Sequence, residues 1–107
     1  MRFRVDIKQE AWTNAKEQAR WWAEHRSAEQ AARWLEGLQW TIDSLRTDAL
    51  LHPIAREAES FPYGLRQLNY GLGSKATHRI LYQVRDEKVL VLSVRHLSQR
   101  DLAPEDL

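Results

Sequence analysis

His78-Arg79-Ile80-Leu81-Tyr82-Gln83-Val84, followed beyond the turn at Asp86-Glu87 by Val89-Leu90-Val91-Leu92-Ser93-Val94-Arg95, decides how this chain folds. The two runs read as neighbouring strands of one sheet, and each carries an arginine among apolar residues. Alternation sorts their side chains by face. Ile80, Tyr82 and Val84 share one side of the first strand, and Arg79, Leu81 and Gln83 share the other. In the second, Leu90, Leu92 and Val94 point one way, and Val89, Val91, Ser93 and Arg95 the opposite way. The uniformly apolar sets belong beneath a covering layer, which sends Arg79 and Arg95 to the open face. An unpaired buried charge costs far more than one hydrophobic contact returns, so both arginines require polar surroundings or a partner. An anionic partner, either nucleic acid or the acidic segment of another protein, is the simplest answer. His96 lies at or past the strand end, where parity stops applying. Arg66 has no assigned face, because both sides of its strand are mixed. His78 shares the core-side parity of Ile80 and Tyr82 and reads as closing the strand.

Working outward, Leu65–Tyr70 reads as a further strand, and the turn-rich Gly71-Leu72-Gly73-Ser74-Lys75 closes a hairpin onto Thr77–Val84. Near the start, Phe3, Val5 and Ile7 alternate with Arg4 and Asp6, the period of a short strand. From Gln9 to about Arg26, Trp12, Ala15, Ala19 and Trp22 recur at three- and four-residue steps, one face of a helix. Ser27 with Gln30 reads as a capping box opening a second helix, whose stripe is Leu35, Leu38, Ile42 and Leu45. So short a connection makes residues 9–46 a helical hairpin. Trp21 and Trp40 fall off these stripes and are expected at the surface, where a partner helix is one explanation. Residues 47–62, bracketed by His52-Pro53 and Phe61-Pro62, read as an irregular loop carrying Arg56, Glu57 and Glu59. The polar tail from Ser98 is expected to fray. Short turns require antiparallel pairing. The fold expected is α+β, an N-terminal strand and helical hairpin packed on one face of a mostly antiparallel four-stranded sheet, with residues 1–107 as one domain.

Composition limits the functional classes. Hydrophobic content of 43% and charged content of 29% suit a globular chain, and the absence of cysteine excludes disulfides and thiolate chemistry. No stretch approaches the ~20 apolar residues needed to span a bilayer, and the N-terminus lacks a signal peptide's apolar run, so a cytoplasmic protein with no membrane partner is expected. A net charge of +1 argues against gripping nucleic acid by bulk charge, leaving only a local cluster for that work.

Sharper motifs are missing. Gly73-Ser74-Lys75 lacks the rest of a phosphate loop, and His25, His52, His78 and His96 show no metal-ligand spacing. No cofactor and no metal are expected. For Arg79, an ion pair with Glu57 or Glu59 and an anion-binding role stand side by side, since the guanidinium fork suits carboxylate and phosphate alike. His96 reads either as a satisfied structural histidine or as a proton-transfer group. Glu57 and Glu59 either solvate their loop or place a base beside the arginines.

As a set, Leu65-Arg66-Gln67-Leu68, His78-Arg79-Ile80-Leu81-Tyr82 and Val89–His96 with Arg100-Asp101 behind it resemble the RelE/ParE superfamily of toxins. These belong to bacterial type II toxin–antitoxin, or plasmid-stabilisation, systems, and the resemblance covers nearly the whole chain. It implies a protein that arrests growth unless a cognate antitoxin protein neutralises it. RelE-like members are ribosome-dependent, metal-independent endoribonucleases that cut mRNA. ParE-like members share the fold without nuclease residues and poison DNA gyrase. Under the nuclease reading the resemblance implies that Arg79 holds the scissile phosphate, with Arg66 or Arg95 assisting. His96 then stands near the C-terminal histidine of one nuclease subgroup, offset by one residue, and Glu57 or Glu59 near the place where that subgroup has its general base. The chain lacks the C-terminal tyrosine of many RelE-like nucleases and their strongly basic character, and its Val-Arg-His ending with Arg100-Asp101 looks more like the ParE-like or unassigned plasmid-stabilisation members. An inactive homologue that retains antitoxin binding is the third reading.

Overall fold

The computed structural model describes residues 2–107. Strand β1 (Arg4–Ile7) leads into helices α1 (Gln9–His25), α2 (Ala28–Asp43) and the short α3 (Leu45–Asp48). Strands β2 (Arg66–Tyr70), β3 (His78–Arg85) and β4 (Lys88–His96) follow. The sheet order is β1-β4-β3-β2, with β2–β3 and β3–β4 antiparallel and β1 parallel to β4. Tight turns force the antiparallel pairs, whereas β1 reaches β4 only after the chain has passed through the helices. This is the α+β architecture expected. Among the described residues, no helix is long and apolar enough to cross a membrane.

Local chemistry sets the element ends. The Ser27 hydroxyl accepts from the Gln30 N–H at 3.1 Å and starts α2 by satisfying one of its free amide donors. Asp86 takes a φ of 56°, the left-handed geometry that a tight β-hairpin requires and that a short polar side chain tolerates. Beneath the helices, Ala11, Ala15, Trp34, Leu38 and Ile42 meet Ile80, Tyr82, Val89, Val91 and Val94 in the main core. Trp34, absent from the expected stripe, is its largest fully buried side chain, while Leu35 is only partly buried. Trp21 and Trp40 are 43% and 80% exposed, as their off-stripe positions predict.

Two expectations about the faces of the sheet need correcting. Strict alternation placed Leu90 and Leu92 under the helices, but Val89 and Val91 hold that position, and Leu90 and Leu92 face the other way. A β-bulge explains the change, because Leu81 pairs with Ser93 while Tyr82 pairs with Val91, leaving Leu92 as the extra residue. The bulge flips parity within β4, so Val94 joins Val91 on the helical side. Just past the end of β1, Asn14 of α1 accepts from the Val94 N–H at 3.1 Å and the Ser93 hydroxyl at 2.9 Å, securing β4 there.

The second correction concerns the face thought to be open. Ala55, Phe61 and Leu65 from the connecting loop, with Leu102 from the tail, cover Leu81, Leu90 and Leu92 in a second small core. The tail does not fray. Leu102 is buried, Arg100 pairs with Asp106 at 2.7 Å, and a 3-10 turn forms over Pro104–Asp106. A burial pattern of two apolar faces in β3 and β4 therefore reflects a sheet covered on both sides.

Gly37 lets β2 approach α2. A β-carbon there would stand 2.2 Å from the Tyr70 hydroxyl oxygen, which donates to the Trp34 carbonyl at 2.7 Å. Gly37→Ala is expected to destabilise the fold by about 1–3 kcal/mol through overpacking, outweighing the ~1 kcal/mol that alanine gains in helix propensity. Adding Tyr70→Phe removes the nearest atom and should recover part of the loss. Urea denaturation of both variants checks this, and a more stable Gly37→Ala would contradict the close approach.

Candidate functional site

Cross-strand register divides the expected site between the two sides of the sheet. Arg79 stands opposite Arg95, and on its other flank opposite Asn69. Arg66 pairs with Tyr82, and His78 with His96, so those residues take the helical side. Arg79, Arg95 and Glu57 are brought together. Arg66 and His96 are not among them.

Arg79 is 0% exposed. Its Nη1 donates to Glu57 Oε1 at 2.9 Å and to Gln67 Oε1 at 3.0 Å, and its Nη2 donates to Glu57 Oε2. Glu57 Oε2 also accepts from the Leu102 N–H at 2.9 Å. Burial alone would raise the Glu57 carboxyl, but the guanidinium and the Leu102 amide outweigh it and hold the group at about 2. The expected open-face arginine is thus an internal ion pair that fastens loop, tail and sheet together. Its Nε finds no partner among the described residues, which is a cost the pair carries.

Like charges directly opposite across strands repel. Arg95, 8% exposed, is relieved differently from Arg79, donating through Nε and Nη2 to the Arg100 carbonyl at 3.2 and 2.8 Å. Burial lowers its pKa, with Asp106 acting in the opposite direction. Arg66 donates to the His52 carbonyl at 2.7 Å and holds the start of the loop. Glu59 is exposed in the 3-10 turn Ala58–Ser60, with no ion-pair partner among the described residues. His96 is exposed, and its Nδ1 accepts from the Ser98 N–H at 3.1 Å. Gln67, Leu102 and the Arg100 carbonyl were not anticipated from the sequence. Leu102 carried the one available signal, the single large aliphatic between Gln99-Arg100-Asp101 and Pro104-Glu105-Asp106.

His78 closes β3 as expected, buried against Trp34 with ring centroids 5.1 Å apart. Burial, reinforced by His96, pushes its pKa down to about 4. Among the described residues, no group of three or more His, Cys, Asp or Glu is placed to hold a metal ion. The surface carries several large apolar side chains at Trp40, Leu50, Leu51, Ile54 and Tyr63.

The family described as the ParE toxin of the type II toxin–antitoxin system parDE matches residues 5–101. A solved structure described as the chromosomal ParDE toxin–antitoxin system from P. aeruginosa is similar, with a TM-score of 0.71 at 12% identity. The match covers 90% of this chain and 97% of that one. No protein of curated function matches the sequence.

Proposed function

Because this chain belongs to the ParE toxin family of type II toxin–antitoxin systems, we propose that it is the toxin of such a pair, neutralised by a cognate antitoxin protein, and that it arrests growth by binding DNA gyrase rather than by cutting mRNA. The burial and internal pairing of Arg79 carry this reading. A metal-independent nuclease needs a cation facing the scissile phosphate and a base that is accessible to the 2′-hydroxyl, whereas Glu57 is only 5% exposed. Arg79 has no exposed surface, and both Glu57 oxygens already accept hydrogen bonds. Arg66 and His96 lie across the sheet from that pair. The balanced charge of +1 also suits a protein target better than ribosomal RNA. The apolar residues at 40–63 offer the kind of surface a protein partner covers.

Purified protein is expected to inhibit DNA supercoiling by gyrase at stoichiometric concentration. On translating ribosomes it should generate no new mRNA ends. Ribosome-dependent cleavage with gyrase unaffected would overturn the proposal, and inactivity in both assays would point to a homologue that retains only antitoxin binding.

A further inference from the structure

A groove on the helical side lies between the C-terminal part of α1 and the paired ends of β3 and β4. It encloses about 490 Å³, lined in part by Gln18, Trp21, Trp22, Arg26, His96 and Gln99, a size within the ~300–1,000 Å³ range of small-molecule sites. Rings form its walls. Trp21 and Trp22 meet edge to face at 5.7 Å and 90°, and His78 and His96 at 5.1 Å and 77°. His25 stacks on Trp21 at 4.5 Å, steadying the indole.

The polar groups of this groove are unbalanced in a way that specifies a ligand. Each of its side-chain acceptors already makes a hydrogen bond within the groove, the Thr77 and Ser98 hydroxyls to the His78 and His96 rings among them. Gln18 Oε1 bonds His78 Nε2 at 2.9 Å, and His78 Nδ1 bonds the Thr77 hydroxyl at 2.8 Å. His96 Nδ1 accepts from the Ser98 N–H, which leaves the proton of a neutral ring on Nε2. Gln99 Oε1 accepts from the His96 N–H at 2.7 Å. Donors remain over: the Arg26 guanidinium, which lies 5.8 Å from the Trp21 ring centroid and makes one long bond, Nη1 to the His25 carbonyl at 3.5 Å, then His96 Nε2–H, and the amide NH₂ groups of Gln18 and Gln99. Among the described residues, no carboxylate lines the groove. Surplus donors and one cation call for an acceptor-rich anion, and aromatic walls call for a flat one.

We propose that this groove binds a nucleotide, its base against the rings and its phosphate at Arg26, either free or unpaired in single-stranded nucleic acid. The site lies across the sheet from the Arg79–Glu57 pair and is independent of the toxin reading, since binding to the purified protein requires no cellular target.

Tryptophan fluorescence titration with adenosine monophosphate, adenosine and a short single-stranded oligonucleotide tests the proposal. Saturable quenching by a phosphate-bearing probe is expected, with adenosine about tenfold weaker. Arg26→Ala should bring the nucleotide down to the level of adenosine, and Trp21→Ala should remove most of the quenching. Both residues are exposed, and far-UV circular dichroism verifies that each variant is folded. An oligonucleotide much tighter than the monophosphate assigns the site to single-stranded nucleic acid, and equal affinities assign it to free nucleotide. Absence of saturable quenching by either phosphate-bearing probe, or quenching unchanged in both variants, overturns the proposal.

Discussion

Glu57→Ala is expected to lower the unfolding free energy by about 3–5 kcal/mol, because removing one member of a buried ion pair leaves the other charge uncompensated. Arg79 is fully buried, and with Glu57 gone its guanidinium would keep only the Gln67 oxygen. The same change strips the Leu102 N–H of its acceptor and loosens the tail. A domain of this size has roughly 5–15 kcal/mol of stability in all, so the variant should be largely unfolded at modest urea concentrations. The double variant Arg79→Met/Glu57→Gln should recover most of the loss. It removes both charges, retains an oxygen for Leu102, and replaces the unsatisfied Arg79 Nε with an apolar chain. Buried pairs replaced by well-packed neutral residues are often tolerated without net cost. Urea midpoints of the single and double variants decide the matter. A cost under ~1 kcal/mol for Glu57→Ala would mean that water reaches the pair.

Acid is expected to unfold the protein in two stages. His78 has a pKa of about 4 in the fold against 6.5 in an unfolded chain. Between those values the unfolded chain takes up a proton that the folded chain refuses, so stability falls as the pH drops from 6.5 towards 4. Glu57 has a pKa of about 2 against 4.5. Its stabilisation is complete above 4.5 and is lost as the pH falls towards 2. Each stage amounts to about 3 kcal/mol, since a tenfold change in proton affinity corresponds to ~1.4 kcal/mol. Together they rival the whole stability of a small domain. His78→Phe, which retains a ring against Trp34, should abolish the first stage and move the onset of acid destabilisation down to about 4.5, where Glu57 begins to titrate. Urea midpoints followed from neutral to acid pH check this, and an unchanged onset in the variant would contradict the burial argument for His78.

Periodicity carried most of the fold. The spacing from Trp12 to Trp22 marked α1, Ser27 marked the start of α2, and the apolar alternation in β3 and β4 marked two adjacent strands. What escaped was non-local. Nothing in Val91-Leu92-Ser93 announces a bulge, because the extra residue is defined by its partner strand and stabilised by Asn14, far away in the sequence. Parity counted across that bulge misplaced Leu90 and Leu92, and the assumption of one open face followed from it. Polarity misled in the tail, where a single docked Leu102 outweighs its charged neighbours once Glu57 accepts its amide. For Arg79 the sequence offered both a carboxylate partner and an external anion. Only the return of the loop over the sheet, set by Phe61 and Leu65 packing on Leu81, Leu90 and Leu92, brings Glu57 within reach.

Growth on induced expression of Arg79→Met/Glu57→Gln, with the variant shown to be folded and present at wild-type abundance, tests most directly whether the pair is structural. A toxin that acts by binding should still arrest growth when neither charge remains. Loss of arrest in that folded variant would contradict the account and return Arg79 to the chemistry of a reacting phosphate.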